Sequence, residues 1–234
     1  MKQNLPLIRK LVLAAALGAA LGIVHLFLVS QASAADDLAP LPLKLPMPTL
    51  KGTPPEVPKG PNIEPPPEKP RPPFMAPKGV SNVALGKKVT SSIKPFTGEL
   101  SQVTDSKKEP DDDQVVEMRR GKQWVQVDLG ENYKIYAMVI WHDHRRLQVF
   151  HDVIVQVADD PDFTQNVKTI YNSDVDNSAG LGIGTDKEYF ETNQGRPFDA
   201  KGVVARYVRC YTAGSSLSAI NACQEIEVYA LPAK

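Results

Sequence analysis

The chain has 234 residues, with 27 lysines and arginines balanced by 27 aspartates and glutamates, so its formal charge is zero. That balance provides no basic field, and aromatic residues are not interleaved with lysines, so nucleic acid is excluded as a partner. Once two unusual N-terminal segments are set aside, about 155 residues remain, enough for one domain that needs neither metal nor staple to fold.

Residues 1–35 do not read as part of a globular fold. Lys2, Arg9 and Lys10 form a positive leader, Leu11–Val29 is apolar apart from His25, and Ala32-Ser33-Ala34 offers the small residues a signal peptidase requires. Cleavage is expected just after them, giving a mature N-terminus at Ala35 or Asp36. The alternative is an uncleaved anchor, since a 19-residue helix would span about 28 Å, close to a hydrocarbon core. Either way the remainder leaves the cytoplasm, for the periplasm, the cell surface or the medium.

Residues 36–78 hold 15 of the 21 prolines, in runs such as Pro65-Pro66-Pro67-Glu68-Lys69-Pro70. Proline fixes φ and removes a donor, which predicts a disordered, polyproline-II-rich spacer reaching on the order of 100 Å. Leu38, Leu41, Leu43, Leu45 and Met47 make its first part more apolar than a spacer requires.

The rest, residues 79–234, is a succession of short β-prone blocks. In Gln123–Gly130, Val125, Val127 and Leu129 share one face until Gly130 ends the run. Ile135–Trp141, Val153–Ala158, Val167–Tyr171, Arg206–Tyr211 and Glu225–Tyr229 come next, separated by turn signals. Trp124 is expected between the sheets.

The order of these blocks, with Asn82-Val83-Ala84-Leu85-Gly86-Lys87 and Val89-Thr90-Ser91-Ser92 ahead of them, resembles the discoidin domain, also called the coagulation factor V/VIII type C domain. It is most similar to stand-alone forms in bacterial secreted proteins. The resemblance spans Gly79 to Leu231, and Ser106 stands where the family's Asp-Gly loop has its glycine. It implies an all-β fold, an antiparallel β-sandwich or jelly roll of the galactose-binding-like class, and a domain that binds ligands without catalysis.

Alternating strand direction places residues 93–122, 142–151, 172–188 and 212–222 at one end, with the chain termini at the other. In the family the end remote from the termini is the usual ligand face. On it, His142, His144, Arg145, Arg146 and Asn177 are the candidate ligand-binding residues, the arginines as bidentate donors and the others as partners for sugar hydroxyls. His142 and His144, two apart, also have the spacing of metal ligands, although an exposed polar loop explains them as well.

Asn172, Asp174 and Asp176 place oxygens at alternate positions, as in the first half of a calcium loop, with calcium as the candidate cofactor. Asn177 stands where an EF-hand has glycine and Ile183 where it has glutamate, so only a looser turn fits. The competing reading is a glycine-rich loop whose Asx side chains satisfy its own backbone.

Cys210 ends one predicted strand and Cys223 begins the last. A hairpin centred near Ser216 would bring them opposite each other, within disulfide range; the alternative is two reduced, buried thiols. No Gly-x-Ser-x-Gly, His-Glu-x-x-His or phosphate loop occurs. The expectation is an exported, non-catalytic module for a glycan or other envelope component. The runner-up is a membrane-anchored structural or adhesion protein whose ligand is a protein.

Overall fold

The computed structural model describes residues 37–48 and 57–233. The expected leader and its cleavage site lie outside the described residues. The chain divides into two units, Met1–Leu38 and Ala39–Lys234, and the second carries the β-sandwich. Among the described residues no helix is long and apolar enough to cross a membrane.

The described chain is all-β, with two 3-10 turns, Leu100–Thr104 and Asp112–Gln114. Its strands are β1 (Leu38–Pro40), β2 (Met75–Pro77), β3 (Ser81–Asn82), β4 (Lys88–Ser91), β5 (Val116–Met118), β6 (Gln123–His142), β7 (Ile154–Ala158), β8 (Lys168–Asn172), β9 (Arg196–Thr212) and β10 (Asn221–Pro232). β1 and β2 form a ribbon; the others run in the order β3-β10-β6-β9-β7-β8, with β4 on β6 and β5 on β10. Every ladder in that path is antiparallel.

Two strands expected to be separate, Trp124–Leu129 and Ile135–Trp141, are the halves of β6. Their register against β9 slips between Asp128 and Tyr133, where Gly130 adopts φ 89°. A bulge with a left-handed glycine lets a strand turn sharply without losing its partner. The halves therefore face each other across the sandwich. Val125, from the first, and His142, from the second, line one small internal cavity.

The alternation read from sequence sorts these faces. Val125, Val127 and Leu129 point inward and meet Met138, Ile140, Ile226 and Val228 in the main core. Trp124 points the other way. It is half-buried, not between the sheets, and lies under the Arg209 guanidinium at 4.3 Å, beside Ile154 and Tyr211. The fully buried tryptophan is Trp141.

In its described residues the proline-rich stretch does not stand free as a spacer. It is a strap on the outer face of the β6–β10 layer. Leu41, Leu43, Phe74 and Ala76 pack on Ala137, Val139, Trp141 and Tyr229. Polar pins secure it: Arg71 donates to the carbonyls of Gly195 (2.7 Å) and Gln194 (3.0 Å), Glu64 receives a two-pronged bond from Arg196, and Glu64 N–H donates to Glu188 O at 2.8 Å. This accounts for Leu41 and Leu43 in the apolar first part of the segment, while Leu38, Leu45 and Met47 stay exposed. It also explains why Ile135–Trp141 reads as a near-continuous apolar run and why Asn221–Ala230 of β10 is buried throughout, since both faces of that layer are covered.

Ser106 takes φ 66°, a left-handed conformation that favours glycine. The strain is held by its backbone N–H, which donates to the buried Glu225 carboxylate at 3.1 Å.

Candidate functional site

The strand directions bring the four loop segments to one end, as expected. His144 Nε2 reaches Lys108 O (2.9 Å), Asn221 Nδ2 reaches Arg119 O (2.8 Å), Ser215 Oγ reaches Gln148 Oε1 (2.7 Å), and Lys122 Nζ bonds Ala179 O. The termini of the sandwich lie at the other end, where Ser81 and Asn82 pair with Ala230 and Tyr229.

The residues expected to bind a ligand there are largely spent on structure. His142 is 1 % exposed, its ring stacked on Phe150 at 4.7 Å and its Nδ1 on Glu191 Oε1 at 2.7 Å. His144 is fully buried. Neither reaches solvent, so both the ligand role and the two-histidine metal role are corrected. The physical reason is that β6 carries the chain inward through His142, and the next turn folds His144 beneath residues 105–110. Arg145 is held by Asp143 and Asp112, with Glu117 at 3.9 Å, so its charge is already compensated. Arg146 is exposed as expected. Asn177 is exposed but works within its loop: it sits at φ 60° and its Oδ1 accepts from Gly182 N–H at 2.7 Å.

The loop after β8 is organised by its own Asx residues. Asn172 is buried, accepting from Asp174 N–H at 2.9 Å and donating to Gly182 O at 3.0 Å. Gly184 packs so tightly that a Cβ there would lie 2.2 Å from Asn172 O. Asp174 accepts from Ser178 N–H (3.0 Å) and Ala179 N–H (2.9 Å). Asn172 is thus a loop brace and not part of the acidic cluster. Its place is taken by Asp152, whose carboxylate lies with those of Asp174 and Asp176 within 4.8 Å of one another. Those three could hold a divalent cation; burial first, then the neighbouring carboxylates, raises the Asp152 pKa.

Beside this cluster opens a cleft of about 420 Å³, lined by His151, Asp152, Ser173, Asp176, Ser178 and Glu188, with Gly60–Ile63 of the strap as the opposite wall. His151 Nδ1 lies 2.8 Å from Glu188 Oε1 and its side chain is 40 % exposed. The Glu188 hydrogen bond raises the His151 pKa, against partial burial. His151, Asp152, Glu188 and the strap are the site residues that sequence reasoning missed. The adjacent His151-Asp152 pair at the loop end was a visible signal; the strap wall, far earlier in the chain, left none.

The core holds a second constellation. Cys210 Sγ lies 3.8 Å from His142 Nε2, which places thiol, imidazole and the Glu191 carboxylate in a row. Burial opposes the imidazolium, but the Glu191 carboxylate and the hydrogen bond to Cys210 override it and push His142 up to about 10. The order of groups is that of an activated nucleophile. All three are nevertheless buried, and the adjoining cavity, of about 10 Å³, admits no substrate. Cys223 lines the same cavity, yet both thiols are free. The expected hairpin pairing fails because β6 lies between β9 and β10, so the cysteines sit on strands that are not neighbours. Burial pushes the Cys223 thiol up.

No family model and no curated protein matches the chain. Among solved structures it is similar to the CBM32 of AlyQ in complex with 4,5-unsaturated mannuronic acid, at 16 % identity and TM-score 0.45, covering 60 % of this chain and 92 % of that one. It is likewise similar to a chitosan-binding module from the chitosanase/glucanase of Paenibacillus sp. IK-5 (21 %, TM-score 0.42, 64 % and 98 %) and to a fucose-binding module of Streptococcus pneumoniae (17 %, TM-score 0.45, 64 % and 97 %). For this chain, the antiparallel sandwich rests on its own strand order and registers.

Proposed function

We propose that this is an exported, non-catalytic module that binds a glycan in the loop-end cleft. The observation that carries the reading is the convergence of His151, Asp152, Asp176, Ser178 and Glu188 on one open cleft of about 420 Å³. Carboxylates accept from sugar hydroxyls, while serine and imidazole both donate and accept, so this set suits a polyhydroxylated ligand. The row of Cys210, His142 and Glu191 is sealed in the core, which supports binding over catalysis. The solved structures similar in fold include a complex with mannuronic acid, a chitosan-binding module and a fucose-binding module.

The test is a glycan array with the exported chain and with Asp176→Asn/Glu188→Gln. At least one glycan should bind the wild type, and the double variant should bind it tenfold or more weakly with its melting temperature nearly unchanged. A blank array, with a protein captured instead, would transfer the site to an adhesion role. Sequencing of the exported N-terminus tests export itself, with a start at Ala35 or Asp36 expected.

A further inference from the structure

A second cavity, of about 500 Å³, lies between the strap and residues 189–196, within the usual size of small-molecule sites. The rings of Pro67 and Pro70 and the aromatic residues Tyr189 and Phe190 line it, together with Glu64, Lys69, Arg71 and Arg196. Its charge is lopsided, with three cations and one carboxylate. Both Glu64 oxygens are occupied, each at 2.7 Å from an Arg196 nitrogen. Arg71 donates to two neutral carbonyls and has no carboxylate partner among the described residues. A guanidinium carries five N–H donors, so three of those on Arg71 remain uncommitted.

Holding two backbone carbonyls requires donors, not charge. A half-buried guanidinium beside a second one is electrostatically costly, and the Arg71 pKa is accordingly pulled down, by burial first and then by Arg196. An anion entering between Lys69, Arg71 and Arg196 offsets that cost. The walls suit a ligand with apolar ring faces, because prolines in an extended strap are already ordered before binding.

We propose that this cavity is a second binding site that takes a sugar bearing an oxyanion, either a uronate carboxylate or a sulfate ester. The site is built jointly by the strap and the sandwich, and it does not depend on the loop-end cleft. The uncommitted N–H edge of Arg71 meets the oxyanion, Lys69 supplies a point charge at the mouth, and the sugar ring lies against proline.

Calorimetry with the full chain tests it, using three probes: a galacturonate tetrasaccharide, its fully methyl-esterified form, and a sulfated galactan oligosaccharide. At least one acidic probe should bind, and the neutral ester should bind tenfold or more weakly. Arg71→Gln should weaken the acidic ligand by about ten- to a hundredfold. Lys69 is exposed, so Lys69→Gln leaves folding intact and keeps the test valid if Arg71→Gln loosens the strap; it should also weaken binding. Asp176→Asn, in the cleft, should change nothing, which separates this site from the other. No binding of either acidic probe, equal binding of acid and ester, or no effect of either cation variant would each overturn the proposal.

Discussion

Glu64 and Arg196 hold each other through two 2.7 Å hydrogen bonds, joining the proline-rich strap to the first residue of β9. The pair is partly exposed, 36 % for Glu64 and 28 % for Arg196, so it sets the register of the strap more than it stabilises it. The stabilising surface is apolar, with Leu41, Phe74 and Ala76 on Val139, Trp141 and Tyr229. Removing residues 37–78 should therefore expose an apolar patch, lower the melting temperature and promote association. A truncated domain as stable and monomeric as the full chain would show that the strap is dispensable.

The two tryptophans should respond differently to truncation. Trp141 is fully buried and its indole N–H donates to Asn193 O at 3.0 Å. Trp141→Ala should cost about 3–5 kcal/mol, and Trp124→Ala, at a half-buried position, clearly less. Chemical denaturation of both variants gives the comparison, and a reversed order would contradict the faces assigned to β6.

Both cysteines should remain thiols in the native protein. Alkylation under denaturing, non-reducing conditions should label Cys210 and Cys223 fully, whereas the folded protein should be labelled slowly because both side chains are buried. Recovery of a linked peptide would contradict this and restore the bridge expected from the sequence.

His142 should make stability depend on alkaline pH. Its folded pKa, about 10, lies above the ordinary value of 6.5. The stabilisation is therefore complete below pH 6.5 and is lost as pH rises towards 10. Glu225, pushed up to about 9 by burial and then by Glu227, acts with the same sign between pH 4.5 and 9. Wild-type melting temperature should thus fall across this range, and His142→Gln should flatten the part between pH 6.5 and 10. Parallel profiles for the two proteins would remove His142 from the explanation.

Calcium should raise the melting temperature by relieving repulsion among Asp152, Asp174 and Asp176. Asp176 is exposed, so Asp176→Asn should abolish the rise without lowering stability in a chelator. Asp174→Ala should destabilise with or without calcium, by about 1–3 kcal/mol, since it leaves the Ala179 N–H without its acceptor, whereas the Ser178 N–H keeps Asp176. An Asp176→Asn protein that still responds to calcium would move the ion elsewhere.

The strands were legible because a half-buried strand has a local signature. Val125, Val127 and Leu129 alternate with Trp124, Gln126 and Asp128, and that period alone separates inward from outward residues. Strand direction came with it, and so did the gathering of four loops at one end. What period 2 could not show is that Asp128 to Tyr133 is a bend within one strand, because the chain there looks like any Gly-Glu-Asn turn.

The candidate site was legible by place and not by residue. His142, His144 and Arg145 have the composition of a polar loop, and nothing in their neighbours announces Phe150, Lys108 or Asp112 as partners. A histidine reads the same in sequence whether it faces solvent or a buried glutamate. The sequence by itself determined the class of fold, the end at which loops gather and the Asx chemistry of residues 172–184, since each depends on residues a few positions apart. Only the tertiary structure decided that the proline strap lies on Trp141, that no hairpin joins the strands of the two cysteines, and that His151, Asp152 and Glu188 share a cleft with Gly60–Ile63. Those facts depend on contacts between distant segments, which form only when burying apolar surface outweighs the entropy of closing long loops.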